Sequence, residues 1–523
     1  MALPTAKHLT QGTLLLAASN ILSRLLGLAR DALLARVGGT SFQTDAYNIA
    51  FLLPDLLNHF LGAGLLSITL IPLLSSYLKR DDLEGASRLI SEIFSVVLLA
   101  TLFLTTLCFL FADQIVPLLT EKPLPIETMV LTIRYTRILL FAQLFFVAGG
   151  FLMAIQYGRF HYTIPALAPL VYNLSIIVGG LFSLKTGNLE GFCWGVLVGA
   201  FIGNFALQWR GACRVGLKLR FVFDLKSAAL RQYIWLTLPF LFGVGATFSN
   251  ELVYRYFGGS ESGEVSGLGF GLRIMMALVG VFGGAAGIAS YPVLARHCAD
   301  GDYDGLAIRV ANTLERVYIL LVPVLVATMV LAEPLVRLYL GGGKFDADSV
   351  SNVTLALRAY LPIALPMSAT LLIARSFYAS KDTWTPSLLT LSAFLIVLPL
   401  YWWGDDLLGR LRVPLLSLLT ALLQLLFLSV VWARRHPHPA HRRPFIALLK
   451  MAVPTTLVLI LSFWGLQQWS WSTNRLLLAV ELAVWGTAIA GVLLLCWWPL
   501  RIPGFEEWRE ALLRRLKRLR LLN

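Results

Sequence analysis

The chain has 523 residues, 57% of them hydrophobic and only 14% charged, with a mean hydropathy of +0.74 and a formal net charge of +14. That balance excludes an ordinary water-soluble domain, in which about a quarter of residues are charged. The five cysteines, Cys108, Cys193, Cys213, Cys298 and Cys496, are scattered without a C-x-x-C pair, so neither a disulfide framework nor a zinc site is expected.

A hydrocarbon layer needs roughly 20 apolar residues per helix, and such runs recur from Leu14 almost to Leu500. In chain order they predict seven helices near residues 9–37, 43–78, 85–112, 127–156, 163–184, 190–209 and 228–257. Seven more follow near 264–295, 305–332, 348–379, 384–403, 408–433, 444–467 and 474–499. The fold expected is therefore an all-α integral membrane protein of about fourteen transmembrane helices. Lys7 and His8 run straight into a long apolar segment, without the short h-region and small-residue cleavage site of a leader, so the first segment is expected to stay. The second and eighth helices exceed one crossing and contain breakers, Pro54, Gly62 and Gly64 in one and Gly283, Gly284 and Gly287 in the other; both are predicted to bend.

Alternate loops are basic: Lys79 and Arg80, Arg159, the Arg210–Lys226 stretch, Arg296, Lys381, and Arg434, Arg435, Arg442 and Arg443. The positive-inside rule places these and both termini in the cytoplasm. The tail from Pro503 alternates Leu512, Leu513, Leu516 and Leu519 with Arg514, Arg515, Lys517, Arg518 and Arg520, a basic amphipathic pattern suited to anionic membrane lipids rather than nucleic acid.

An internal repeat runs through the chain. DAYNIAFLLP from Asp45 matches SGLGFGLRIM from Ser266, and Tyr157 and Pro165 recur as Tyr378 and Pro386, all displaced by 221. IPLLSSYLKRDD from Ile71 matches YPVLARHCADGD from Tyr291 at 220. The shift carries helix two onto eight and four onto ten, so the repeats are parallel. The organisation expected is an N-terminal lobe at 1–222, a C-terminal lobe at 223–436, two further helices at 437–500 offering a lipid-tail groove, and a basic tail at 501–523.

A charge near a helix centre costs roughly 2.5–3.5 kcal/mol on insertion scales, so intramembrane charges are candidates for function. Arg24 and Asp31, seven apart in the first helix, share a stripe, whereas Arg30 points elsewhere unless Gly27 lets the segment bend. Arg273 lies inside the eighth helix, and Asp45 opens the second, where it either caps a helix or serves a site. Plainer readings stand beside these: Arg30 and Arg36 can snorkel or hold Asp31, Glu251 and Arg255 can satisfy each other, and Arg375 and Lys381 follow the charge bias. An arginine cluster shielded from water suits phosphate, which a planar guanidinium fork can grip with parallel hydrogen bonds; a carboxylate would also fit. The two supernumerary helices favour a lipid-linked diphosphate. An enzyme is not expected: Asp405 and Asp406 read as a solvated turn, and His436, His438 and His441 lie in a proline-rich loop.

The stretches SRLLGLARDALLARVGG from Ser23, TDAYNIAFLLPDLL from Thr44, YGRFHYTIPALAPLVYN from Tyr157, GKF at Gly343 and FYASKDTWTP from Phe377 together resemble the MurJ (MviN) lipid II flippases of the multidrug/oligosaccharidyl-lipid/polysaccharide exporter superfamily. The resemblance implies two six-helix bundles plus two helices, and a bacterial inner-membrane transporter that moves lipid II, the undecaprenyl-diphosphate-linked disaccharide pentapeptide, to the periplasmic leaflet by alternating access for peptidoglycan synthesis. It further implies diphosphate recognition by Arg24, Arg30 and Arg273, and gating or arginine positioning by Asp31 and Asp45. Departures from the family pattern fall at Leu52, Asn58, His59 and Ala63. The stretch from Thr385 to Leu400 lacks the Asn and Asp of a sodium site, so no cofactor or metal is carried over and the coupling ion is left unassigned. The alternative is a related exporter of another polyprenyl-linked glycan or of amphipathic drugs.

Overall fold

A computed structural model describes residues 6–61, 70, 73–74, 77, 82–216, 219–259, 261–502, 504–506 and 509–510. Most of the basic tail, and Gly62, Ala63 and Gly64, lie outside the described residues. Eleven described helices are long and apolar enough to cross a membrane. The three remaining predicted crossings, 9–37, 43–78 and 228–257, fall on α1 (Ala6–Gly38), on α2 (Phe42–Ala50) with α3 (Leu52–Phe60), and on α8 (Ala228–Phe257). This all-helical set is consistent with the expected fourteen.

The chain forms two compact units. The first comprises residues 1–266 with 340–349: α1 to α3, α4 (Glu84–Leu110), α5 (Ile126–Gly158), α6 (Thr163–Thr186), α7 (Glu190–Arg214) and α8. Its boundary lies beyond the repeat junction at 222, because α8 packs on α2, α3 and α4. Small residues set a close helix contact between α6 and α7. Gly191, Gly195 and Gly199 recur every turn along α7, and a Cβ on Gly195 would stand 2.7 Å from the Ser175 carbonyl and 2.8 Å from Ile176 Cα of α6. Between apolar helices in lipid there is little hydrophobic gain, so this backbone proximity supplies the dispersion contact that joins them.

The second unit comprises residues 267–339 and 350–523. It contains most of α9 (Glu264–Ala299), α10 (Tyr303–Val330), most of α11 (Ala332–Leu340) and of α12 (Ala347–Ala379), then α13 (Trp384–Trp403), α14 (Asp405–Arg435), α15 (Pro439–Leu466) and α16 (Arg475–Leu500). The two supernumerary helices, α15 and α16, cover α10: Val322, Val326 and Val330 are buried in one cluster with Met451, Val458, Leu482 and Leu493.

Both expected bends have a local cause. Helix α2 ends at Ala50 and α3 restarts at Leu52, ahead of Pro54. The proline ring crowds the carbonyl four residues back, that of Ala50, and offers it no N–H. In α9 the glycine-rich stretch adopts a π-helical turn at Gly280–Gly284. By contrast, α1 runs without a break through Gly27.

Local geometry repeats at the displacements read from the sequence. The Asp82 carboxylate accepts the Gly85 N–H at 2.8 Å, and Asp302, 220 residues on, accepts that of Gly305 at 2.8 Å. Phe160 and Lys381, 221 apart, are both left-handed, at φ 60° and 63°. Arg137 Nε donates to the Phe109 carbonyl at 3.3 Å, and Arg358 Nε donates to the Met329 carbonyl at 3.2 Å. Each unit thus rebuilds the same caps, turns and half-buried cation from its own copy of the repeat.

Candidate functional site

The first helix holds a built cation site. Arg30 Nε and Nη2 donate to Asp31 Oδ1 at 3.1 and 3.0 Å, and Nη1 donates to Asn173 Oδ1 of α6 at 3.3 Å. The Asn173 amide is turned that way by its own donations to Ser23 Oγ at 3.1 Å and the Pro169 carbonyl at 3.0 Å. Arg30 and Asp31 side chains are 27% and 11% exposed, so the pair is largely shielded. Three of the five N–H groups of a guanidinium are used here, leaving one on each terminal nitrogen. A pre-oriented fork of that kind can receive a phosphate or carboxylate without first losing side-chain freedom.

Arg24 is exposed on the same helix, and no described residue pairs with it. Asp31, which shares its stripe, takes Arg30 instead, because Arg24 lies two turns away, about 10 Å along the axis. Arg36 is exposed near the helix end. In the second unit, Arg273 of α9 is half-buried with its guanidinium 5.5 Å from the Phe270 ring centroid. Arg375 of α12 crosses Gly287 of α9, where a Cβ would come within 2.8 Å of its Nε.

Of the two roles open to Asp45, capping its own helix is not the one observed, since Ser41 stands at that N-cap. Asp45 is 3% exposed, and its Oδ2 and Oδ1 accept the backbone N–H groups of Gly263 at 2.6 Å and Ser266 at 2.7 Å, capping the start of α9. A carboxylate there also meets the positive end of the helix dipole. Asp45 and Ser266 are equivalent positions of the 221-residue repeat, and both lie in the first unit. Loops of the first unit make further backbone contacts. Lys344 N–H donates to the Arg36 carbonyl at 2.9 Å, and Glu121 N–H donates to the Tyr256 carbonyl at 3.0 Å. The GKF motif is therefore a strap over the end of α1, and Gly343, at φ +63°, has no room for a Cβ against the Arg36 carbonyl.

Glu251 and Arg255 do pair, at 2.8 Å, but Arg255 is also bound to Asp55 of α3 at 2.6 Å and to the Tyr254 hydroxyl at 3.1 Å. Asp55 and Asn173 are the residues that sequence reasoning missed. Both stand inside quoted motifs, and a carboxylate or carboxamide within an apolar helix was the available signal. Two of the three loop histidines hold local backbone: His441 Nε2 lies 2.7 Å from the His436 carbonyl, and His438 Nδ1 accepts the Ala440 N–H at 3.1 Å, while the His436 ring lies 4.5 Å from those of Tyr303 and Trp432.

Comparison with known proteins places this arrangement. The family model described as "Lipid II flippase MurJ" matches residues 34–481. Among curated relatives, the "Probable lipid II flippase MurJ" of Rhizobium meliloti is 27% identical over 378 residues, 70% of this chain and 69% of that one. The "Lipid II flippase MurJ" of Burkholderia cenocepacia is 24% identical over 403 residues, 74% of this chain and 77% of its own. Among solved structures, lipid II flippase MurJ in an inward closed conformation superposes with a TM-score of 0.75 at 21% identity, covering 92% of this chain and 98% of that one. An inward-facing multidrug resistance MATE family transporter of the MOP superfamily gives 0.64 at 17% identity, over 79% and 94%. The structural likenesses establish the shared fold, and the family match runs through both repeats and into α16; the chain belongs to the lipid II flippase MurJ family.

Proposed function

We propose that this chain is a lipid II flippase, carrying the undecaprenyl-diphosphate-linked disaccharide pentapeptide from the cytoplasmic to the periplasmic leaflet of a bacterial inner membrane for peptidoglycan synthesis. The observation that carries this reading is the match to the lipid II flippase family over residues 34–481, which reaches into both repeats. In this reading Arg30, held by Asp31 and Asn173, presents its open fork to the diphosphate. Arg24 and Arg273 add charge, and Asp31 acts as the positioning residue for Arg30. Asp45 acts in gating, since opening the start of α9 requires release of both N–H groups it holds. The basic loops face the cytoplasm, as the charge bias requires. Transport is by alternating access, with no covalent step and no resident cofactor.

Binding of lipid II to purified protein in nanodiscs tests the site. Arg30→Ala and Arg24→Ala are expected to weaken binding by about tenfold each, as loss of a charge-assisted phosphate contact does. Unchanged lipid II affinity in both variants would refute the arginine assignment. Preferential binding of another polyprenyl-linked glycan or of amphipathic cations would favour the related-exporter reading.

A further inference from the structure

The first unit carries an open groove at the end of its helices opposite the basic loops. A cavity of about 460 Å³ lies between α4, α5 and α7, lined by Phe109, Asp113, Ile133, Arg134, Arg137, Glu190 and Trp194 among others. Its charges alternate in two pairs: Arg137 Nη2 to Asp113 Oδ2 at 2.7 Å, and Arg134 Nη2 to Glu190 Oε2 at 2.6 Å. Trp194 Nε1 donates to Glu190 Oε1 at 3.2 Å, with the indole 49% exposed. Asp113 stands three residues past the end of α4 and Glu190 begins α7, so these charges stand at the level of lipid headgroups, where tryptophan is also enriched.

The internal repeat separates scaffold from site. Arg137 has a structural twin, Arg358, which makes the same carbonyl bond but is covered by the ring of Phe463 from α15, 5.0 Å away. The Arg134–Glu190 pair has none: 221 residues on stand Leu355 and Leu411. The fold therefore does not require that second ion pair. The neighbouring face differs in the same sense, since Val322 and Val330 of α10 are buried under α15 and α16, while their counterparts Leu102 and Leu110 of α4 are 45% and 61% exposed. What the protein's own helices cover in one unit is left to lipid in the other.

We propose that this groove is a binding site for a zwitterionic, amine-bearing phospholipid in the leaflet opposite the basic loops. Its phosphate lies on Arg134 and Arg137, its ammonium donates to Glu190 and Asp113, and its acyl chains run along the exposed leucines of α4. Two cations and two anions in one groove complement a zwitterion better than an anionic headgroup, which would leave both carboxylates facing like charge. An ammonium with three N–H donors is distinguished from a trimethylammonium, which has none.

The test is native mass spectrometry of the full-length protein released from nanodiscs holding equal amounts of ethanolamine, choline and glycerol phospholipids with identical chains. Wild type is expected to retain ethanolamine lipid over each of the others by about tenfold at its tightest site. The double variant Arg134→Leu with Glu190→Leu, which copies the leucines of the second unit, is expected to bring that ratio below about twofold. Asp113→Asn, which leaves the Arg134 pair intact, is expected to give an intermediate ratio and guards against misfolding of the double variant. Preference for the glycerol headgroup, equal retention of choline lipid, or an unchanged ratio in a folded variant would each overturn the assignment.

Discussion

Replacing Asp45 by asparagine isolates the cap on α9. The wild-type carboxylate is 3% exposed and satisfies two backbone donors, those of Gly263 and Ser266, at 2.6 and 2.7 Å. Asparagine keeps one acceptor oxygen and turns an NH₂ toward the other N–H, so one charge-assisted bond is lost and a buried donor is left opposed. A hydrogen bond to a charged partner contributes about 1.5–3 kcal/mol, which corresponds to a roughly ten- to hundredfold increase in the population of the locally opened start of α9. Amide hydrogen exchange followed by mass spectrometry reads this directly, in a peptide covering residues 261–270. Exchange there should accelerate by that factor in Asp45→Asn, while peptides from α6 keep their wild-type rates. An unchanged rate at 261–270 in a folded variant would refute the capping role and, with it, the gating argument.

Other perturbations test the remaining contacts. Arg255→Leu removes the partner of the shielded Asp55 carboxylate, and because that side chain is 27% exposed the loss of stability should lie near the lower end for a broken buried pair, about 3 kcal/mol; Asp55→Asn in the same background should restore part of it in thermal unfolding. Gly343→Ala should cost about 1–2 kcal/mol through its left-handed φ and its contact with the Arg36 carbonyl, whereas Gly465→Ala, with open space around it, should be neutral or mildly stabilising by the same measurement. Asp382 accepts the Thr385 N–H at 3.0 Å at the start of α13, so Asp382→Ala should lower stability by about 0.5–2 kcal/mol. Burial raises the Asp382 pKa, but the Thr385 bonds and Arg435 outweigh it and hold the group below 3.8. The depressed value means that its contribution is complete at neutral pH and is lost only as pH falls through the folded pKa, so Asp382→Ala and wild type should converge in strong acid and not between pH 7 and about 5.

Much of this was legible in the sequence. Apolar runs of membrane-spanning length announce the helices, and breakers such as Pro54, Gly283 and Gly284 act through backbone rules that hold in any context. The 220 and 221 displacements recovered from short matches recur as paired caps at Asp82 and Asp302 and paired left-handed residues at Phe160 and Lys381. Partner choice was less legible. On an ideal helix Arg24 shares the Asp31 stripe, yet a guanidinium is long and flexible enough for adjacent Arg30 to reach back to Asp31. The partners of Asp45 are 218 and 221 residues away, and that of Asp55 is 200 residues away; helical periodicity does not encode such contacts, and a repeat displacement relates equivalent positions without saying that they touch. Asn173 was hidden for a related reason, since only the approach of α1 to α6 turns a carboxamide in an apolar helix into an arginine anchor.

The central claim is that a two-repeat transporter carries lipid II on an arginine site. The most direct measurement depletes the host's own flippase, supplies this chain, and follows lipid II exposure at the periplasmic face for wild type, Arg24→Ala and Arg273→Ala at matched expression. The account predicts rescue by wild type and loss in both variants. Well-expressed wild type that gives no exposure would contradict the function, and rescue by all three would contradict the site.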